Sequence, residues 1–140
     1  KTFLIKFGGS AMDDPRLVKK LMRDIVLLEV LGINPVIVHG GGKAISKAMM
    51  EAGLEARFIN GLRVTTPEAI SIVERTLSGT INPGLVQMFR DFGGKGVGIP
   101  GTEIFVGERI QEKDEQGNPV DSWDVGTVSG CLKDRVTEAL

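Results

Sequence analysis

The run Val36-Ile37-Val38-His39-Gly40-Gly41-Gly42-Lys43-Ala44-Ile45-Ser46 couples a β-branched stretch to a helical one through three consecutive residues that lack a Cβ. Val36 to Val38, introduced by Pro35, read as a strand buried on both faces, whereas Ala44, Ile45, Ala48 and Met49 recur at helical spacing. A chain built on this junction is an α/β protein. Glycine lets the backbone turn tightly and lets its N–H groups approach a ligand, and a helix start adds unpaired donors and a partial positive charge. Carboxylates and phosphates bind such places. The plainer alternative is a helix start that merely needed flexible residues.

A second junction of the same kind opens the chain. Phe3-Leu4-Ile5-Lys6-Phe7 reads as a short strand that ends in Gly8-Gly9, before Ser10 and Ala11. Lys6 is the odd residue of that run. It fits an edge strand that snorkels its ammonium into water, or a charge held at the carboxyl end of a parallel strand, where open α/β sheets place their ligands. Asp14-Pro15 then supplies a helix cap and a proline at the first helical position, with Leu17, Val18, Leu21, Met22, Ile25 and Leu28 on one face. Gly32 stops this helix and Pro35 forbids its return. Residues 3 to 38 therefore make a strand, a helix and a strand, a crossover that is nearly always parallel and right-handed. If the strands are neighbours, Gly8-Gly9 and Gly40-Gly41-Gly42 share one end of the sheet with Lys6 between them.

Farther on, Arg57 to Val64 predicts a hairpin turning at Asn60-Gly61, two residues that both tolerate positive φ, with Arg63 on the second arm. Thr66-Pro67-Glu68 starts another helix, and Thr65 to Glu68 also fits a capping box one register earlier. Its stripe of Ile70, Val73 and Leu77 continues as Leu85, Val86, Phe89 and Phe92. Pro83, between Gly79 and Gly84, should kink or divide it. Val97-Gly98-Ile99 reads as a third core strand continuing through Thr102 to Val106. Residues 96 to 101 fit the dinucleotide pattern G-x-G-x-x-G, but no helix opens through them, and one match among 19 glycines is better read as coincidence. Phe105 to Cys131 is hairpin-like, with Val106 to Glu112 outbound, a charged turn over Asp114 to Pro119, and Trp123 to Val128 returning. A helix begins after Leu132.

Other chemistries lack their parts. The Walker A pattern is absent around Lys43 and Lys95. With His39 the only histidine, no Ser-His-Asp or Cys-His set can be composed, and His39 reads as a strand-end hydrogen-bonding residue. Asp13 and Asp14 read as a helix cap rather than a metal site or glycosidase pair. A net charge of −1 with scattered Lys and Arg removes the electrostatic basis for nonspecific nucleic-acid binding. No apolar run is long enough to span a bilayer. The single Cys131 has no disulfide or metal companions, which points to a reducing, cytoplasmic compartment.

Lys6-Phe7-Gly8-Gly9-Ser10, Val38-His39-Gly40-Gly41-Gly42 and Asn60-Gly61-Leu62-Arg63-Val64-Thr65 together resemble the amino acid kinase family. Trp123-Asp124-Val125-Gly126 adds to the likeness, which runs from about Phe3 onward. The resemblance implies a three-layer αβα sandwich with a mainly parallel central sheet and added β-hairpins. It also implies ATP-dependent phosphorylation of the side-chain carboxylate of N-acetyl-L-glutamate in arginine biosynthesis, with Mg2+ held through the nucleotide and no metal site in this chain. A carboxylate is already a nucleophile at neutral pH, so the missing general base is no obstacle; phosphoryl transfer needs positioning and neutralised charge. By the same analogy Lys6 is catalytic and stabilises the transition state, Gly8 and Gly9 approach the nucleotide phosphates, Gly41 and Gly42 bind the acceptor through backbone N–H groups, and Arg63 clamps its α-carboxylate by a two-pronged bond.

Family members carry a second, nucleotide-binding lobe of comparable size, so the expectation is that residues 1–140 are the amino-terminal acceptor lobe and do not transfer phosphate alone. A homo-oligomer is expected, with no nucleic-acid or membrane partner. Two other readings stay open: a kinase for a related acidic substrate such as an amino-protected aminoadipate, and a non-catalytic module sensing an acidic metabolite or arginine. A purely structural αβ domain must treat Lys6, both glycine turns and Arg63 as coincidences.

Overall fold

The computed structural model describes residues 1–113, 116–120 and 125–139. Strand β1 (Thr2–Phe7) leads through a short 3-10 turn, Gly9–Met12, into α1 (Pro15–Val30), and β2 (Asn34–His39) follows. Asp14 caps α1 by accepting from the Arg16 N–H at 2.9 Å, with Pro15 at the first helical position as expected. The Arg16 guanidinium, and after it the cap bond from the Arg16 N–H, lowers the pKa of the Asp14 carboxyl from its ordinary value. β1 and β2 pair in parallel with Lys6 opposite Val38 and Phe7 opposite His39, which completes the predicted crossover.

Alternation sends Ile5, Phe7 and Ile37 to one face of this pair, where they meet Val18, Met22, Ile25 and Val26 of α1 and Phe89. Met22 is wholly buried. Two sequence expectations fail here. Leu17 is 51% exposed and Val26 is buried in the core instead, because the buried arc of α1 is centred one residue farther round than the stripe that includes Leu17. β2 is not covered on both faces either: Val38 is 45% exposed and lines a cavity beside the strand.

Beyond the three glycines lies α2 (Gly42–Glu51), then the antiparallel pair β3 (Phe58–Ile59) and β4 (Leu62–Arg63), then α3 (Pro67–Glu74). Asn60 and Gly61 take φ of 50° and 79°, the two left-handed residues that the Asn-Gly hairpin requires. Thr66 caps α3 by accepting from the Ala69 N–H, while Thr65 donates to the Arg63 carbonyl; the alternative box from Thr65 to Glu68 is not used. Ala69 and Ile72 of α3 pack on Ile45 and Met49 of α2 as a second core. Ile70, expected in the buried stripe, is 38% exposed because that contact is made by the neighbouring face.

α3 runs on as a π-helical segment, Arg75–Ile81, into α4 (Asn82–Asp91). Pro83 has no N–H for the Gly79 carbonyl, and the wider turn just before it absorbs the mismatch without breaking the rod. Thr80 donates its hydroxyl to the Arg75 carbonyl five residues back, at 3.4 Å. The division expected at Pro83 is thus a change of winding.

Residues 95–100 are not the predicted third strand. A Cβ on Gly94 or Gly96 would stand 2.3 or 2.8 Å from the Phe89 ring, and one on Gly98 would stand 2.0 Å from Asn82 Oδ1. Three alternate glycines let this backbone lie directly on α4, where Arg90 donates to the Gly96 carbonyl at 3.1 Å. The segment is therefore held on the helix and not on β2, and a cavity of about 600 Å³ separates the two. Residues 101–103 form a 3-10 turn where strand was expected, so no helix opens through the G-x-G-x-x-G match. β5 (Phe105–Arg109) pairs antiparallel with β8 (Gly126–Cys131), and β6 (Glu112–Lys113) with β7 (Pro119–Val120), giving the hairpin region as predicted. The charged positions 114 and 115 and the Trp123-Asp124 part of the expected return strand lie outside the described residues. α5 (Lys133–Thr137) is tied back by Arg135, which pairs with Glu103.

Candidate functional site

The in-register pairing of β1 and β2 brings both glycine turns to one rim. The Gly40 N–H donates to the Phe7 carbonyl at 3.2 Å, extending the ladder one step past the strands, and a Cβ on Gly8 would lie 3.9 Å from the Gly40 nitrogen. Gly9 takes a φ of 64°, which turns the chain off β1 and into the 3-10 turn. Lys6, one residue before the end of β1, is exposed and forms no ion pair or hydrogen bond among the described residues. It stands on an edge strand and also at the carboxyl end of a parallel pair, so both readings of its position hold at once.

Gly41 is the N-cap of α2 and has no side chain to cap it, which leaves the first amides of that helix to other acceptors. Its φ of −176° is ordinary extended backbone. A Cβ would meet the ends of two side chains, Ile81 Cδ1 at 2.6 Å and Leu77 Cδ2 at 2.8 Å, so they must shift to admit it. The triple glycine is thus packed against the π segment. We expect Gly41→Ala to lower stability by about 1–3 kcal/mol through this crowding, read as a fall in the thermal midpoint. An unchanged midpoint would mean that both side chains move aside freely.

Arg63 leaves the hairpin and reaches the start of α2. Its Nη2 donates to the Gly42 carbonyl at 3.0 Å and to Ser46 Oγ at 2.8 Å. Nη1 lies 3.5 Å from Met49 Sδ, and the guanidinium stacks 4.7 Å from the centre of the Phe58 ring. Burial pulls its pKa below the ordinary arginine value, yet the group stays charged at neutral pH. Arg63 and Gly42, predicted from separate motifs, are therefore in direct contact. Nη2 already donates to two acceptors inside the protein, which a two-pronged grip through this nitrogen would have to share or displace.

Three further residues belong to this rim, and the sequence reading did not place them there. Asp13, read with Asp14 as a cap, instead pairs with Lys43 at 2.5 Å and ties the turn before α1 to the first turn of α2. Ser46 sits one helical turn beyond Gly42, the i, i+4 spacing that could have marked it. Asn82 approaches His39 Nε2 at 3.4 Å, while His39 Nδ1 lies 3.1 Å from the Gly40 carbonyl. With Nδ1 donating to the carbonyl, Nε2 can accept from the Asn82 amide, which is the strand-end hydrogen-bonding role expected of His39. Uncapped amides, a free ammonium and a guanidinium around one rim make a cradle for a small anion.

A family model described as the amino acid kinase family matches residues 1–138. The chain is 89% identical over 140 residues to an acetylglutamate kinase of Akkermansia muciniphila, covering 100% of this chain and 47% of that protein. It is 53% identical over 103 residues to the acetylglutamate kinase of Halothermothrix orenii, covering 74% of this chain and 36% of that protein. The chain thus spans about half or less of the length of these curated relatives. Among solved structures, a Streptococcus mutans protein aligns with a TM-score of 0.70 at 25% identity, covering 98% of this chain and 53% of that one. An N-acetylglutamate synthase of Neisseria gonorrhoeae, solved with coenzyme A and N-acetyl-glutamate, aligns with a TM-score of 0.75 at 21% identity, over 98% of this chain and 30% of that one, a likeness of fold alone. The α/β arrangement of helices on a parallel sheet is the one these proteins share, and with the family model matched across nearly its whole length the chain belongs to the amino acid kinase family.

Proposed function

We propose that this chain is the acceptor-binding lobe of an acetylglutamate kinase, which transfers a phosphoryl group from ATP to the side-chain carboxylate of N-acetyl-L-glutamate in arginine biosynthesis. The observation that carries the reading is the single rim on which Lys6, both glycine turns and Arg63 meet, with Arg63 bonded to Gly42. The identity to acetylglutamate kinases supports the choice of substrate. The chain spans 47% of the length of the Akkermansia relative, and in this reading a second lobe of the whole protein binds the nucleotide.

In this reading the acceptor carboxylate is the nucleophile and needs no base. Gly41 and Gly42, at the uncapped start of α2, hold it by backbone N–H groups, and Arg63 meets the α-carboxylate. Gly8 and Gly9 admit the nucleotide phosphates close to the backbone. Lys6 neutralises charge that builds on the transferred oxygens. Mg2+ would enter with the nucleotide and supply further charge neutralisation there.

The test is trapping of the acyl phosphate with hydroxylamine. The full-length protein should form the hydroxamate only with ATP and acetylglutamate both present, and residues 1–140 alone should form none. Absence of product from the full-length protein would end the functional reading, and steady turnover by the isolated chain would end the lobe assignment.

A further inference from the structure

Ser46 is a costly residue for its place. It lies inside α2, where alanine would be a better helix former, and its hydroxyl bonds back to the carbonyl four residues earlier, a habit that slightly weakens helices. What it returns is directional. A serine hydroxyl has one proton, and donation to the Gly42 carbonyl at 3.0 Å uses it. The oxygen that faces Arg63 is then an acceptor only, matched to a guanidinium that has no acceptor of its own. Arg63 Nη2 closes the figure by donating to Ser46 Oγ at 2.8 Å and to the same Gly42 carbonyl at 3.0 Å. A closed ring of three hydrogen bonds therefore joins the hairpin to the glycine turn, and its Arg63–Ser46 bond is partly buried.

From this geometry we infer that Ser46 is a positioning residue for the acceptor site. With Gly42 it fixes Nη2 on the glycine turn and so sets the place and plane in which the guanidinium meets the acceptor's α-carboxylate. Phe58 holds the flat face of the guanidinium at 4.7 Å and limits its rotation. Three glycines supply donors but no rigidity, and this ring supplies the rigidity. The inference deepens the acetylglutamate kinase reading and rests on it.

The test is steady-state kinetics of the full-length protein carrying Ser46→Ala, Ser46→Thr and Ser46→Val. Losing one hydrogen bond to a charged group should raise KM for acetylglutamate about tenfold. The kcat and the KM for ATP should stay within about twofold, because the interaction is made equally in ground and transition states. Threonine keeps the hydroxyl and should restore the parent KM, whereas valine, its near-isostere, should behave as alanine. In an Arg63→Ala background, Ser46→Ala should add almost nothing, as two residues acting through one contact require. An active parent with an unchanged or lowered KM in Ser46→Ala, or equal behaviour of the threonine and valine variants, overturns the inference alone. An inactive parent overturns the kinase reading and the inference with it.

Discussion

Lys6→Ala in the full-length protein is expected to lower kcat about 10²- to 10³-fold, the cost of removing one donor from charge that develops only in the transition state. The protein should fold as before, because the Lys6 side chain is exposed and forms no ion pair or hydrogen bond among the described residues. Its neighbour Phe7, by contrast, is buried in the core. Acetylglutamate affinity should change little if, as proposed, α2 and Arg63 hold the acceptor from the β2 side of the rim. Rapid-mix kinetics with a binding titration separates the two quantities. A variant that keeps its kcat leaves Lys6 as an ordinary edge-strand lysine and removes the charge-neutralising role.

Arg63→Ala should show the opposite division. Loss of a charge-assisted bond to the acceptor is expected to raise KM for acetylglutamate roughly 10- to 150-fold. It also empties the place between Ser46, the Gly42 carbonyl and the Phe58 ring, so the glycine turn should loosen as well. Hydrogen exchange at the amides of residues 41–46 reads that second effect independently of turnover. Arg63→Lys should recover little, because an ammonium cannot serve Gly42 and Ser46 while lying flat on Phe58. If KM in Arg63→Ala remains within twofold of the parent, acceptor binding is carried without this side chain.

Much of the fold could be read where the signal is local. Asp14-Pro15, Asn60-Gly61 and Thr66-Pro67 each set a boundary through their own backbone and side-chain chemistry, and each boundary stands where expected. The meeting of the two glycine turns was also accessible, because a short crossover leaves parallel strands little choice of register. What escaped was set by packing between distant elements. Apolar Val97 and Ile99 suggested a strand, whereas the deciding residues are Gly94, Gly96 and Gly98, whose missing side chains let the backbone settle on Phe89 and Asn82. Asp13 resembled a second cap until Lys43, 30 residues on, was brought beside it. Arg63 was found as a motif residue, but its commitment to Ser46 depends on how the hairpin closes over α2, which no local pattern encodes.

The widened winding before Pro83 has a consequence for everything downstream of it. One surplus residue would turn the rest of an ordinary α-helix by about 100° around its axis, and the wider turn takes up that rotation. Asn82 is thereby kept facing His39, and Phe89 facing Met22 and Ile25. Deleting a single residue between Arg75 and Ile81 would therefore let the rod close to α winding with both contacts in place, whereas one lost between Pro83 and Phe89 would bring Arg90 to the position of the aromatic ring and set a cation against the core of α1.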